Sequence, residues 1–146
     1  MTDDIRHRYH SAQTIARNAG ALALSYFQNF DSLTIESKSH QDFVSEADKN
    51  VEISVRAAIS AAFPDDAIVG EEDAPTKGSS GFTWVIDPID GTTNFIHGIP
   101  QWCVAIAIVQ SAQTVAGVIH DPVHHECYHA MRGQGAYCNE KPIHTL

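Results

Sequence analysis

Trp84-Val85-Ile86-Asp87-Pro88-Ile89-Asp90-Gly91-Thr92-Thr93-Asn94-Phe95 is the densest stretch of chemistry in the chain. An apolar run of strand character delivers two carboxylates, Asp87 and Asp90, into a turn stiffened by Pro88 and released by Gly91. Thr92, Thr93 and Asn94 then open a short helix. Two carboxylates held together raise each other's proton affinity unless a cation lies between them, so hard oxygen ligands at a strand end favour a divalent ion such as Mg²⁺. The Gly91, Thr92 and Thr93 N–H groups, exposed at a helix start, form an anion-binding nest beside it. Gly70-Glu71-Glu72-Asp73 follows a second apolar run, Ile68-Val69, and supplies a further carboxylate that a sheet brings next to the first two. Each piece alone reads as a solvated loop or a turn; their joint occurrence with the Thr-Thr-Asn continuation points to a site.

Working outward, Ile5, Tyr9, Ala12, Ala16, Ala19, Ala23, Tyr26, Phe27 and Phe30 recur at the spacing of one helical face, which predicts a long amphipathic helix over 5–30. Gly20 inside it predicts close packing rather than a break. Leu33 to Lys38 alternates weakly and reads as a short strand, followed by a polar turn at Ser39-His40-Gln41-Asp42. Ser45-Glu46-Ala47-Asp48 matches a capping box, so a second helix is expected to start there, with Val51, Val55, Ala58, Ile59 and Ala62 on one face. Pro64 ends it. Beyond Pro64, apolar runs at 68–69, 83–86, 104–109, 115–119 and 127–131 alternate with Gly, Pro and Asp, the texture of strands joined by hairpins. The expected fold class is α+β, layered helices packed on a largely antiparallel sheet, in a single domain over 1–146.

The chain has 146 residues, nine Lys and Arg against eighteen Asp and Glu, and a formal charge of −9. That balance repels phosphate backbones and anionic lipid, which argues against nucleic acid or membrane as partners. A small phosphorylated substrate fits only where a metal ion or oriented N–H groups offset the acidic field. Cys103, Cys127 and Cys138 are odd in number without paired spacing, Met1-Thr2-Asp3-Asp4 lacks the basic start of a signal peptide, and no apolar run reaches membrane-spanning length. A reducing, cytoplasmic location is expected.

The stretch from Trp84 to Phe95 resembles the signature of the inositol monophosphatase family of Mg²⁺-dependent, lithium-sensitive phosphatases, and Gly70-Glu71-Glu72 resembles its companion Glu motif. Asp42-Phe43-Val44-Ser45-Glu46-Ala47-Asp48 is similar to the family's Asp-x-Val-Thr-x-x-Asp segment, and Arg132-Gly133-Gln134-Gly135-Ala136 with Asn139 to its Gly-rich hairpin. The resemblance runs in order along nearly the whole chain. It implies the N-terminal half of the family's α-β-α-β-α sandwich. It implies that Glu71, Asp87 and the Ile89 carbonyl hold a first metal, and that Asp87 and Asp90 hold a second. Thr92 and Glu71 would position and deprotonate the attacking water, with Asp48 behind Thr92. Gly91, Thr92 and Thr93 would hold the substrate phosphate, and Lys38 matches a basic residue on a loop. The implied reaction is metal-assisted hydrolysis of a small phosphomonoester, inositol monophosphate first and histidinol phosphate second, with other sugar or nucleotide phosphates as alternatives. A homodimer is implied by the resemblance alone.

The family is about twice this length, and its second half contributes a Trp-Asp motif that completes the second metal site. No Trp-Asp pair occurs here, so the 146-residue chain alone is expected to be weakly active or inactive. Two other readings stand beside the enzyme. One is a zinc site from His124, His125, Glu126, Cys127 and His129, with His120 and Asp121 nearby. The other is a non-catalytic fragment that binds a partner or a phosphorylated ligand through the Gly91–Asn94 nest. Cys103 reads as a buried small hydrophobe and His97 as a loop residue.

Overall fold

The computed structural model describes the backbone of residues 2–30 and 37–146, and the side chains of 3–29, 44 and 46–146. Two long helices, α1 (Thr2–Phe30) and α2 (Ser37–Ala62), precede the sheet strands β1 (Ala67–Val69), β2 (Phe82–Asp90), β3 (Cys103–Gln110), β4 (Gln113–Asp121), β5 (Glu126–Met131), β6 (Ala136–Cys138) and β7 (Lys141–Ile143), with a short helix α3 (Thr92–Ile96) after β2. The sheet runs β1 to β7 in chain order. Every neighbouring pair is antiparallel except β1 and β2, which are parallel. This is the expected α+β layering, helices on a largely antiparallel sheet.

The strand and helix periods explain the layering. Trp84 and Ile86 on β2, Ile106 and Ile108 on β3, and Val118 on β4 point to one face and are buried. Ala12, Ala16, Ala19 and Ala23 on α1 and Val51, Val55 and Ile59 on α2 form the stripes that cover them. Small residues let α1 lie close to the sheet: a Cβ at Gly20 would stand 2.5 Å from His120 Cδ2. Gly20 therefore marks close packing, as its place in the apolar stripe predicts. Asp66 ties the helix layer to the sheet. It accepts hydrogen bonds from Arg8 Nε (2.7 Å) and Nη2 (2.8 Å), Ser80 Oγ (2.6 Å) and Trp84 Nε1 (2.8 Å). The Arg8 guanidinium also lies 3.8 Å from the Phe82 ring centre.

Several expectations need correction. α2 begins at Ser37, so Ser39-His40-Gln41-Asp42 is helical rather than a turn, and Ser45 lies inside the helix rather than capping it. Long-range packing of the Val44, Ala47 and Val51 stripe extends the helix beyond the local capping signal. The expected strand at Leu33–Lys38 lies outside the described residues over 33–36, and 37–38 is helical. Asp87 and Asp90 sit within β2, not in a turn after it. Strands β6 and β7 are three residues each and carry too little periodic signal to be read from the chain.

The sheet face opposite α1 and α2 is the open one. Val69, Val85, Ile119, Tyr128 and Ile143 are all more than a third exposed there. Among the described residues, no helix is long and apolar enough to cross a membrane.

Candidate metal and phosphate site

The parallel pairing of β1 with β2 and an irregularity in β2 together build the acidic centre. Val69, the last residue of β1, is level with Val85 while β2 runs on to Asp90, and two residues past Val69 the Glu71 side chain comes close enough to Asp87 for its charge to act there. In a regular strand, residues three apart point to opposite faces, which would separate Asp87 from Asp90. β2 instead carries a bulge. Asp87 pairs with Ala105 and Asp90 with Cys103, so three steps on β2 match two on β3. The extra residue turns Asp90 back to the side of Asp87. Pro88 fits there because a bulge leaves a backbone position without a ladder hydrogen bond to donate.

Asp87 shows the electrostatic consequence. Burial, then the Glu71 and Asp90 charges, push its pKa up to about 6, while the Ile89 N–H pulls the other way. Its Oδ1 is buried with no hydrogen-bond partner. Asp48, one helical turn before Glu52 on α2, is 9% exposed. Burial and the charges of Glu72, Asp87, Glu71 and Glu52 push it up to about 7. An orphaned buried carboxylate oxygen among like charges fits a hard divalent cation. Among the described residues, no three Asp, Glu, His or Cys side chains already close into a metal cage.

Gly91 sits at the mouth of α3 with φ 93° and ψ 40°. Only glycine takes that left-handed conformation without strain, and a Cβ would also stand 3.0 Å from the Gln101 carbonyl. The first N–H groups of α3, beginning at Thr92, have no helical acceptor. The Thr92 hydroxyl donates to the Ile89 carbonyl at 3.1 Å and makes no hydrogen bond to Asp48. The side chain of Lys38 lies outside the described residues.

Glu52 is the residue that the sequence reading missed. It is fully buried, and its carboxylate accepts the N–H groups of Glu71 (2.8 Å), Glu72 (3.0 Å) and Asp73 (3.0 Å), with Arg56 Nε at 3.1 Å. Burial alone would raise its pKa, but these donors outweigh it and hold the group below its ordinary value. Glu52 thus fixes the backbone that presents Glu71. Gly70 is needed beside it, because a Cβ there would stand 2.5 Å from Glu52 Oε1. The signal was a charged residue at the i+4 position from Asp48, between the apolar Val51 and Val55.

The histidine cluster gives no comparable centre. Both ring nitrogens of His129 are engaged, Nδ1 with the Tyr9 hydroxyl and Nε2 with the Asn139 carbonyl at 2.7 Å, and His124 Nδ1 bonds Asp121 at 2.7 Å. Cys127 is buried and free. Cys103 is half-buried rather than fully buried, and burial, then Asp90, push its thiol up to about 11.

Helices on one face of a mostly antiparallel sheet, with acidic side chains from adjacent strand ends meeting beside a short helix, define an α+β protein with an acidic strand-end centre. The model of the inositol monophosphatase family matches residues 4–146, and the chain belongs to that family. It is 43% identical over 143 residues to a histidinol-phosphatase from Chlorobaculum parvum, covering 98% of this chain and 53% of that protein. It is 41% identical to the Nus factor SuhB of Pseudomonas aeruginosa, covering 88% of this chain and 48% of the relative. The structure of an inositol monophosphatase from Anabaena (Nostoc) superposes with a TM-score of 0.82 at 32% identity, over 98% of this chain and 51% of that one. The chain spans about half the length of the curated relatives it matches.

Proposed function

We propose that this chain is the metal- and phosphate-binding half of a Mg²⁺-dependent, lithium-sensitive phosphomonoesterase, acting on inositol monophosphate. The observation that carries the reading is the buried, unpartnered Oδ1 of Asp87, a carboxylate on which the Glu71 and Asp90 charges both act, with Asp90 turned to the same side by the β2 bulge. Glu71, Asp87 and the Ile89 carbonyl would hold one ion, and Asp87 with Asp90 a second. When bound, the ions supply a lowered pKa for coordinated water and neutralise charge on the phosphate. Glu71 accepts the proton of the attacking water, and Thr92 orients it. Asp48 acts from behind Thr92 as the third member of the catalytic set, and its burial among Glu72, Asp87, Glu71 and Glu52 supports its place at this centre. The Gly91, Thr92 and Thr93 N–H groups hold phosphoryl oxygens as the bond from the water oxygen to phosphorus forms and the ester P–O bond breaks, the leaving alkoxide taking a proton from solvent.

A second substrate reading has its own support. A cavity of about 580 Å³ opens directly beside Asp90 and Gly91 and carries Asp121, Glu126 and Tyr128 on its wall. Asp121 is engaged there by His124, and the Glu126 carboxylate suits a cationic alcohol such as histidinol better than a neutral polyol. Saturable Mn²⁺ or Mg²⁺ binding that disappears in Asp87→Asn is the expected result of calorimetric titration. A chain with no divalent-ion binding, or with binding untouched by that substitution, sinks the proposal. Phosphate release from inositol 1-phosphate and histidinol phosphate, with and without Mg²⁺ and Li⁺, then ranks the substrates.

A further inference from the structure

Arg6, His10, Gln13 and Arg17 fall at intervals of four, three and four residues and so form one stripe along α1. Facing that stripe across a cavity of about 360 Å³ is the β5–β6 hairpin, which contributes Gln134 and Tyr137. The floor is rigid. The His129 ring is bonded at both nitrogens, to Tyr9 and to the Asn139 carbonyl, and stacks on Tyr137 with 12° between the planes. Gly133 and Gly135 carry positive φ on either side of Gln134 and hold the hairpin tip in its turn.

The arginines set this cavity apart. Arg8 is bonded to Asp66, Arg56 to Glu52 and Arg132 to the Thr114 carbonyl. Among the described residues, Arg6 and Arg17 make no hydrogen bond or ion pair, although the chain carries twice as many carboxylates as cations. Both line this one cavity. A guanidinium offers five donors in a planar fork suited to phosphate oxygens. The eleven-residue offset separates the two Cα atoms by roughly 16 Å at 1.5 Å per residue, so a single phosphate does not engage both directly. Among the described residues Glu140 is the one carboxylate on the lining, and it disfavours an anion at its own edge. The cavity shares no residue with the centre formed by Glu71, Asp87 and Asp90.

We propose that the cleft between α1 and the β5–β6 hairpin is a second anion site, taking a small elongated phosphate compound with charge at both ends. Arg6 and Arg17 clamp the ends, and Gln13 and Gln134 contact the middle. Isothermal titration of the full chain with inorganic tripolyphosphate, in EDTA and at about 50 mM salt where screening is weak, tests it. One saturable site is expected, weakened roughly tenfold by Arg6→Gln and by Arg17→Gln, retained within about threefold by Arg17→Lys, and unchanged by Arg132→Gln. Amide NMR shifts should cluster in α1 and residues 131–140. No saturation by about 10 mM ligand, equal affinity in the Arg6→Gln/Arg17→Gln double variant, or shifts centred on 91–94 would each overturn it. So would tighter binding of a single-stranded oligonucleotide than of tripolyphosphate.

Discussion

Asp87 stands in a conflict that a metal ion resolves: its Oδ1 is buried without a donor and its neighbours carry the same charge. Asp87→Asn is therefore expected to stabilise the metal-free chain by about 1–2 kcal/mol, discounted for partial exposure, while abolishing stabilisation by divalent ions. Urea melts with EDTA and with Mn²⁺ check both halves. Glu52→Gln should do the opposite, costing about 2–3 kcal/mol by weakening three charge-assisted hydrogen bonds at a buried site; a loss under about 0.5 kcal/mol contradicts the role given to Glu52. Asp48 and Asp87, pushed up to about 7 and about 6 from 3.8, keep protons in the folded chain that the unfolded chain has released. Metal-free stability should therefore fall as pH rises from about 4 to about 7. Burial raises the Asp66 pKa, but hydrogen bonds from Arg8, Ser80 and Trp84 hold it below its ordinary value, so its contribution is present above that value and lost as pH falls through the lowered one. Urea midpoints in EDTA across that range should show a maximum on the acid side of neutrality.

At the scale of elements, the bulge in β2 decides the site. The sequence presents Asp87 and Asp90 three apart, and the identities alone do not say whether they share a face; the two-for-three pairing with β3 does. The start of α2 shows the converse. Ser45-Glu46-Ala47-Asp48 is a sound local capping signal, yet a helix beginning at Ser37 overrides it. The β3–β4 hairpin turns on Ser111 and Ala112, with φ of 51° and 61°, where Asn-Gly is favoured. Ser111→Asn with Ala112→Gly is expected to raise stability by about 1 kcal/mol. An unchanged or lower thermal midpoint contradicts that geometry.

For the whole molecule, the sheet is covered on one face by α1 and α2, while Val85, Ile119, Tyr128 and Ile143 remain substantially exposed on the other. An apolar face of this kind associates in water. The isolated 146-residue polypeptide is expected to self-associate with rising concentration, and Ile119→Glu to shift sedimentation toward the monomer; a monomer at all concentrations contradicts the expectation. The amino-acid sequence by itself determined the helix-and-sheet layering, because periods of 3.6 and 2 survive in the order of residues. It also determined the candidate acidic and glycine residues, because their chemistry is written in the side chains. Only the tertiary structure decided that Glu71 comes close to Asp87, that Asp90 turns to the same side, and that Glu52 fixes the loop that follows β1. Strand register and a bulge are set by the packing of segments distant in the chain, and no local pattern encodes them.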